Sequence, residues 1–291
     1  MPDSLTLYFD PPNVMTSEVE RRFFTKVRLP NGTYKTTYSN RLDDLNELLL
    51  DFLPRDRELA IMDTAVSSGI STIEWDDHLR AHKVLHKMVA GDMVDAWLTS
   101  WGTSLALLID GSGRNPLLLE IGPLTLRMYS EQWIARAMRP VLFPVLRAIA
   151  ALGRRLGLAA PMTPPTPKRW VHRPIQLVSP ELLQRADILV VQDDIAAPDQ
   201  SLETFDAIRV ANLLHRAYFD DETLKKMLSN LRDRLRDGGV LAICRSMEDH
   251  TNQATIFRRR GDHFVSEASL NGGVEISDLV LALGSSENVE R

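Results

Sequence analysis

The 291-residue chain is 44% hydrophobic and 25% charged, the balance of a folded globular protein, which excludes a disordered or fibrous chain. Its single cysteine, Cys244, excludes an intrachain disulfide and an all-cysteine metal centre; the N-terminal stretch carries acids in place of an apolar run, so a reducing, cytoplasmic location is expected. A net charge of −5 argues against nucleic acid as the partner of the whole chain. Between Arg127 and Arg173, however, nine Lys or Arg face only Glu131, giving about +8.

From the N-terminus, Pro30-Asn31-Gly32 between the β-rich runs Arg22–Leu29 and Thr33–Tyr38 predicts a hairpin. Leu42, Leu45, Leu48, Leu49 and Phe52 then recur at helical spacing, with Pro54 as the stop. Residues 1–55 thus read as an N-terminal hairpin and helix. Leu59–Asp63 is a short apolar run ending in an acid. It passes through small residues to Gly69 and into a helical pattern from Ile70 to about Lys83, the order strand, tight turn, helix. His86–Asp92 is a second run ending in an acid. Leu105–Ile109 and Leu117–Ile121, joined by Asp110-Gly-Ser-Gly113, predict a second hairpin.

Tyr129–Leu158 mixes apolar positions with spaced arginines, predicting one or two basic amphipathic helices broken at Pro140 or Pro144. Pro161, Pro164, Pro165 and Pro167 follow as a stiff connector. Residues 97–174 form an insertion on this reading: a lid over a pocket, a membrane-surface contact through 127–173, or a helical pair packed on the core.

Ile175–Val178 and Asp187–Asp193 read as a short run and a buried strand, and Phe205–Asn212 as another. Leu224, Met227, Leu228, Leu231 and Leu235 share one helix face, with Asp220 or Asp221 as N-cap and Gly238-Gly239 as the stop. Val240–Cys244 predicts a strand, and His263–Leu270 and Val274–Leu283 two more about Asn271-Gly-Gly273. Strands alternating with helices predict an α/β fold: a Rossmann-like, doubly wound, mainly parallel sheet over 56–96 and 175–291, with a helical and hairpin insertion.

In such sheets ligands bind beyond the carboxyl ends of the strands. The small residues between Asp63 and Gly69 would let a ligand approach the backbone and the helix N-terminus that follows. Asp92, 23 positions beyond Gly69, stands near the interval at which dinucleotide folds place a ribose-binding acid. Asp193 and Asp194 end a third strand, where a carboxylate can accept from a base amino group. Asn212, His215 and Tyr218 stand at the mouth of the Phe205 strand; His215 is a candidate base, with capping or surface exposure as its alternatives. Arg245, Glu248, Asp249 and His250 are secondary candidates for a pocket rim, and Cys244 reads as a small buried hydrophobe.

Taken in order, Ile61–Thr72, Asp92, Val191–Ile195 and Phe205–His215 resemble the class I S-adenosylmethionine-dependent methyltransferases. Ala211–Asp220, continuing through Leu231–Leu241, is similar to the late sheet of chemotaxis-receptor glutamate methyltransferases. The resemblance covers 59–95 and 175–283. It implies S-adenosylmethionine as cofactor. Asp63 and the turn through Ala65, Ser67 and Gly69 would hold its methionine end, Asp92 the ribose hydroxyls, and Asp194 with Ile195 the adenine. From their place at the mouth of the Phe205 strand, Asn212 is a further cofactor-binding candidate and His215 and Tyr218 are the candidate catalytic groups toward an acceptor. The family's Gly-x-Gly-x-Gly is here Ala65-x-Ser67-x-Gly69, so a turn needing positive φ would be strained. Asn212 is followed by Leu213-Leu214, unlike the Asn-Pro-Pro-Tyr segment of enzymes that methylate base amino groups, so nucleic-acid bases are not expected as acceptors; the cap-like insertion leads to the expectation of a small-molecule acceptor. The alternatives are a non-catalytic S-adenosylmethionine-binding sensor or assembly protein, and a peripheral membrane adaptor.

Overall fold

The computed structural model describes residues 1–9, 17–30, 34–35, 39–130, 133–156, 169–198 and 204–284. Its elements are α1 (Asp3–Phe9), α2 (Ser17–Phe24), α3 (Asp43–Leu50), β1 (Leu59–Thr64), α4 (Ile70–Ala81), β2 (His86–Asp92), β3 (Asp95–Trp101), β4 (Leu105–Asp110), β5 (Pro116–Ile121), β6 (Leu124–Arg127), α5 (Trp133–Arg155), β7 (Trp170–Gln176), α6 (Pro180–Leu183), β8 (Ile188–Gln192), β9 (Phe205–Ala211), α7 (Asp221–Arg234), β10 (Leu235–Ser246), β11 (Asn252–Arg260), β12 (His263–Leu270) and α8 (Ser277–Ala282). The chain divides into two compact units: Met1–Thr37 with Val94–Glu181, and Tyr38–Met93 with Leu182–Arg291.

The second unit is the α/β domain. Its sheet runs β12-β11-β10-β9-β1-β2-β8. The five strands from β10 to β8 are mutually parallel, and β11 and β12 add an antiparallel hairpin at one edge. This is a Rossmann-like, mainly parallel sheet. From β1 the chain winds outward to β2 and β8, then returns to β9 on the other side of β1. The topological switch point therefore lies at the carboxyl ends of β1 and β9.

Helix α7 starts where the sequence places it. Asp220 is the N-cap, its Oδ1 accepting from the Thr223 N–H at 2.8 Å. Leu224, Leu228 and Leu231 are fully buried in one cluster with Phe205, Ile208, Leu241 and Ile243, each such leucine being worth about 1.5–3 kcal/mol of burial. The stop differs from expectation. α7 ends at Arg234, and Leu235 at once pairs with Phe205 as a strand residue. Gly238 and Gly239 fall in the register shift before Val240. Val274–Leu283, expected as a strand, contains α8, because its apolar positions Ile276, Leu279, Val280 and Leu283 recur at helical spacing and pack on the same cluster.

The first unit is built on an antiparallel sheet ordered β6-β5-β4-β3-β7. The β4–β5 hairpin is the one expected; β3, with Ala96, Leu98 and Ser100 on its buried face, was not. Ile175 pairs with Ala96 in this sheet, not in the parallel one. Arg22–Leu29 is no strand: Phe23, Phe24 and Val27 are buried at helical spacing as α2 closes. Arg28 bridges Tyr34 in antiparallel fashion, and the Asn31-Gly32 turn lies outside the described residues, as does the proline connector at 161–167.

Helix α5 runs unbroken through Pro140 and Pro144, against the expected break. The two prolines lie four apart, on one exposed face, so the carbonyls left without an N–H partner point to water. Its opposite face, with Leu142, Phe143, Leu146 and Ile149, packs on Leu107, Leu119 and Met128.

Candidate functional site

The register brings the candidate loops to one end of the parallel sheet. Thr64 stands beside Gly91 on one side and Val210 on the other, and Asp92 beside Gln192. The loops beginning at Ala65, Met93, Asp193 and Asn212 therefore leave adjacent strands together at the switch point.

The turn after β1 is left-handed at three alternate positions. Ala65 has φ +60°, Ser67 φ +60° and Gly69 φ +89°. All three are left-handed, and only the last is glycine. The turn is anchored at its base, where the Ala65 N–H donates to the Gly91 carbonyl at 2.8 Å, and at its crest, where the Ser67 N–H donates to Asp92 Oδ2 at 2.6 Å. Asp92 Oδ1 accepts from the Met93 N–H at 2.6 Å. Gly69 is the N-cap of α4; a Cβ there would lie 2.5 Å from Leu182 Cδ2, so space and φ both require glycine. The hydroxyls of Ser67 and Ser68 are shielded from solvent and find no hydrogen-bond partner among the described residues.

Holding Ala65 and Ser67 in the left-handed region costs about 1–2 kcal/mol each before compensation. The double variant Ala65→Gly/Ser67→Gly is therefore expected to gain roughly 1–2 kcal/mol of stability in urea denaturation, part of the relieved strain being offset by glycine's greater unfolded-state entropy. A loss of stability would mean that the two side chains make contacts outweighing their backbone strain.

Asp63 is not presented to a ligand. It is 3% exposed, with Oδ1 accepting from Arg209 Nε at 2.9 Å and Oδ2 from Arg209 Nη2 at 2.6 Å and Thr72 Oγ1 at 2.7 Å. Arg209 is itself fully buried; it reaches Asn46 Oδ1 at 2.5 Å and the Ser71 carbonyl at 2.8 Å, and its guanidinium lies 4.2 Å from the centre of the Trp75 ring. This buried fork ties β9 and β1 to the first turn of α4 and to α3. In the sequence the signal for this pair is a charged residue in the apolar run Phe205–Ala211, since a buried guanidinium demands a buried partner.

Asp193 Oδ2 accepts from Arg234 Nη1 at 2.9 Å and from Thr64 Oγ1 at 3.4 Å. Asp194 is exposed, its Oδ1 capping the Ala196 N–H at 3.0 Å. The side chain of Ile195 belongs to the hydrophobic core, so only its backbone borders the loop. Asn212 has φ +57°, ordinary for asparagine, and clamps β9 to β10: its N–H donates to the Cys244 carbonyl at 2.8 Å and its Oδ1 accepts from the Ser246 N–H at 2.6 Å. His215 is buried, its Nδ1 without a hydrogen-bond partner among the described residues and its ring 3.8 Å from that of half-exposed Tyr218. Burial first, then Arg245, lowers its pKa below the ordinary histidine value, opposed by Glu275; the neutral, proton-accepting ring is favoured. The Cys244 thiol is buried and pushed up to about 12 by desolvation, as suits a packing residue. Arg245 pairs with Glu275 at 3.1 Å, and His250 lies with φ +66° in the turn after β10.

No protein-family model matches the sequence, and no curated protein matches it. Among solved structures, the chain is similar to the CMeT domain of the citrinin polyketide synthase (TM-score 0.38, 12% identity, covering 85% of this chain and 43% of that one). It is also similar to the N-methyltransferase NodS from Bradyrhizobium japonicum in complex with S-adenosyl-L-homocysteine (0.33, 13%, 72% and 64%). A third is an amino pentose methyltransferase from Micromonospora echinaspora involved in calicheamicin biosynthesis (0.34, 9%, 79% and 67%). The chain spans less than two thirds of the first two. The strand order defines the α/β class. No helix among the described residues is long and apolar enough to cross a membrane.

Proposed function

We propose that the α/β unit binds S-adenosylmethionine at the carboxyl edge of its parallel sheet, and that the protein is a methyltransferase with a small-molecule acceptor. The observation that carries this reading is the turn at the switch point, left-handed at residues 65, 67 and 69 and hung on Asp92. The residues fit the ligand in kind. The N-terminus of α4, which follows the turn, suits the methionine carboxylate. Each Asp92 oxygen carries two lone pairs and can accept a ribose hydroxyl beside its backbone donor. The exposed loop at Asp194–Ile195 suits the adenine edge. S-adenosylmethionine supplies an electrophilic methyl on a sulfonium, and transfer is an in-line displacement dominated by positioning. His215 serves as the proton acceptor, because burial keeps its ring neutral, with Tyr218 beside it facing the acceptor.

Titration calorimetry with S-adenosylmethionine and S-adenosylhomocysteine tests the binding step; heat from neither ligand ends this reading. The side chains at 65 and 67 favour a second reading, a sensor that binds without transferring. Labelled-methyl incorporation into a metabolite extract separates the two, with transfer refuting the sensor and its absence despite binding refuting the enzyme.

For the first unit we propose an anionic bilayer as partner of α5. Its outer side exposes Val141, Val145 and Leu152 in an apolar stripe, and Trp133 at the helix start, among Arg136, Arg147, Arg154 and Arg155 with no acid on the helix. The protein is expected to sediment with phosphatidylserine vesicles and not with phosphatidylcholine vesicles, and Val141→Glu to abolish the difference. Equal sedimentation with both lipids refutes the contact; dimerisation lost in Val141→Glu would assign the stripe to a second copy of the chain.

A further inference from the structure

Helices α3 and α4 face each other at a place remote from the switch-point loops. Glu47 lies on α3, His78 in the last turn of α4, and His82 just beyond the helix end. The two histidines are four apart, so their rings share one face; the ring centres are 4.5 Å apart and tilted by 48°. Glu47 Oε2 stands 3.4 Å from His78 Nε2. One ligand atom from each of the three residues lies within 4.8 Å of the other two.

Two further details point to a ligand. His78 Nε2 is shielded from solvent and makes no hydrogen bond among the described residues, the Glu47 carboxylate at 3.4 Å being its nearby charge partner only if the ring is protonated. His82 Nδ1 lies 2.9 Å from the His78 carbonyl. A carbonyl only accepts, so Nδ1 carries the proton and donates it, and in the neutral ring the lone pair is then on Nε2. Orientation by a backbone carbonyl through the second ring nitrogen is how metal-ligating histidines are commonly held.

We infer that Glu47, His78 and His82 form a binding site for a zinc-like divalent cation that clips the end of α4 to α3. Two imidazoles and one carboxylate suit zinc and the neighbouring late transition metals, and leave a fourth tetrahedral position for water. Calcium and magnesium, which prefer oxygen ligands throughout, suit it poorly. Glu47 and His82 are exposed and can move the short distance needed to bring all three donors to about 2.0–2.2 Å from an ion. Gly69 begins α4 and His82 follows its end, a separation of roughly 20 Å along the helix. The site is therefore distinct from the turn at the switch point, and its cation has a structural role.

The test uses the full chain after chelator treatment, titrated with zinc alone by calorimetry and followed by thermal unfolding; cobalt substitution reports geometry through its visible absorption. Expected are one zinc per chain, a rise in Tm with added zinc, and a tetrahedral cobalt spectrum. His82→Ala and Glu47→Gln should each weaken binding at least about 10-fold. Both variants, altered at exposed positions, should unfold in chelator at the wild-type temperature, so a lost site is not mistaken for a lost fold. Absence of zinc binding overturns the inference, as does binding that neither substitution weakens. The readout is the metal itself and is independent of whether S-adenosylmethionine binds.

Discussion

Replacing Arg209 with methionine is expected to lower the unfolding free energy by about 3–5 kcal/mol, the usual cost of leaving one partner of a buried ion pair alone. Arg209 is fully buried and Asp63 nearly so, and the guanidinium meets both carboxylate oxygens, Asn46 Oδ1 and the Ser71 carbonyl. Removing it strands a carboxylate and two further acceptors in the interior at once. A double-mutant cycle with Asp63→Leu isolates the pair. The doubly substituted chain should recover part of the loss, since no charge is then left unpaired, but not all of it, since Asn46 and Ser71 remain without a donor. Urea denaturation measures each variant; a loss under about 1 kcal/mol for Arg209→Met would contradict the burial described.

Asp92→Ala is expected to weaken S-adenosylmethionine and S-adenosylhomocysteine binding by about 10- to 100-fold, the value of one or two hydrogen bonds to a charged acceptor. The carboxylate acts twice in the proposed site. It holds the Ser67 N–H and so the crest of the turn, and it meets the ribose hydroxyls. Asp92→Asn keeps one acceptor oxygen and should fall between the two. Calorimetry on both variants reads the effect directly, and an unchanged affinity in Asp92→Ala would place the ligand elsewhere. Asp63→Asn, in contrast, should lower stability before affinity, because Asp63 serves Arg209.

Much of the parallel sheet was legible because local signals and tertiary demands agreed. The Leu59–Asp63, His86–Asp92 and Phe205–Asn212 runs each become a strand of one sheet, and the α7 leucines share a face that is wholly buried. Where they misled, two periodicities competed. Phe23, Phe24 and Val27, like Ile276, Leu279 and Val280, fit a helix as well as they fill an apolar run, and burial against neighbours chose the helix. β3 and β11 escaped notice because their alternation is diluted by polar residues. Ile175 lies in the antiparallel sheet because its partner is Ala96, a pairing across a long sequence separation that no local signal encodes.

By itself, then, the sequence determined the alternation of strands and helices, the acids at the strand ends and the small residues Ala65, Ser67 and Gly69 between them, since these are properties of composition and short-range spacing. Only the tertiary structure decided what the acids do. Asp63 is drawn inward because a buried arginine on the neighbouring strand needs its charge, whereas Asp92, one strand further out, is left to hold the turn. The structure also showed that Ala65 and Ser67 keep the left-handed backbone of glycines. That conformation is imposed by the hydrogen bonds to Gly91 and Asp92, and these exist only once β1 and β2 have paired.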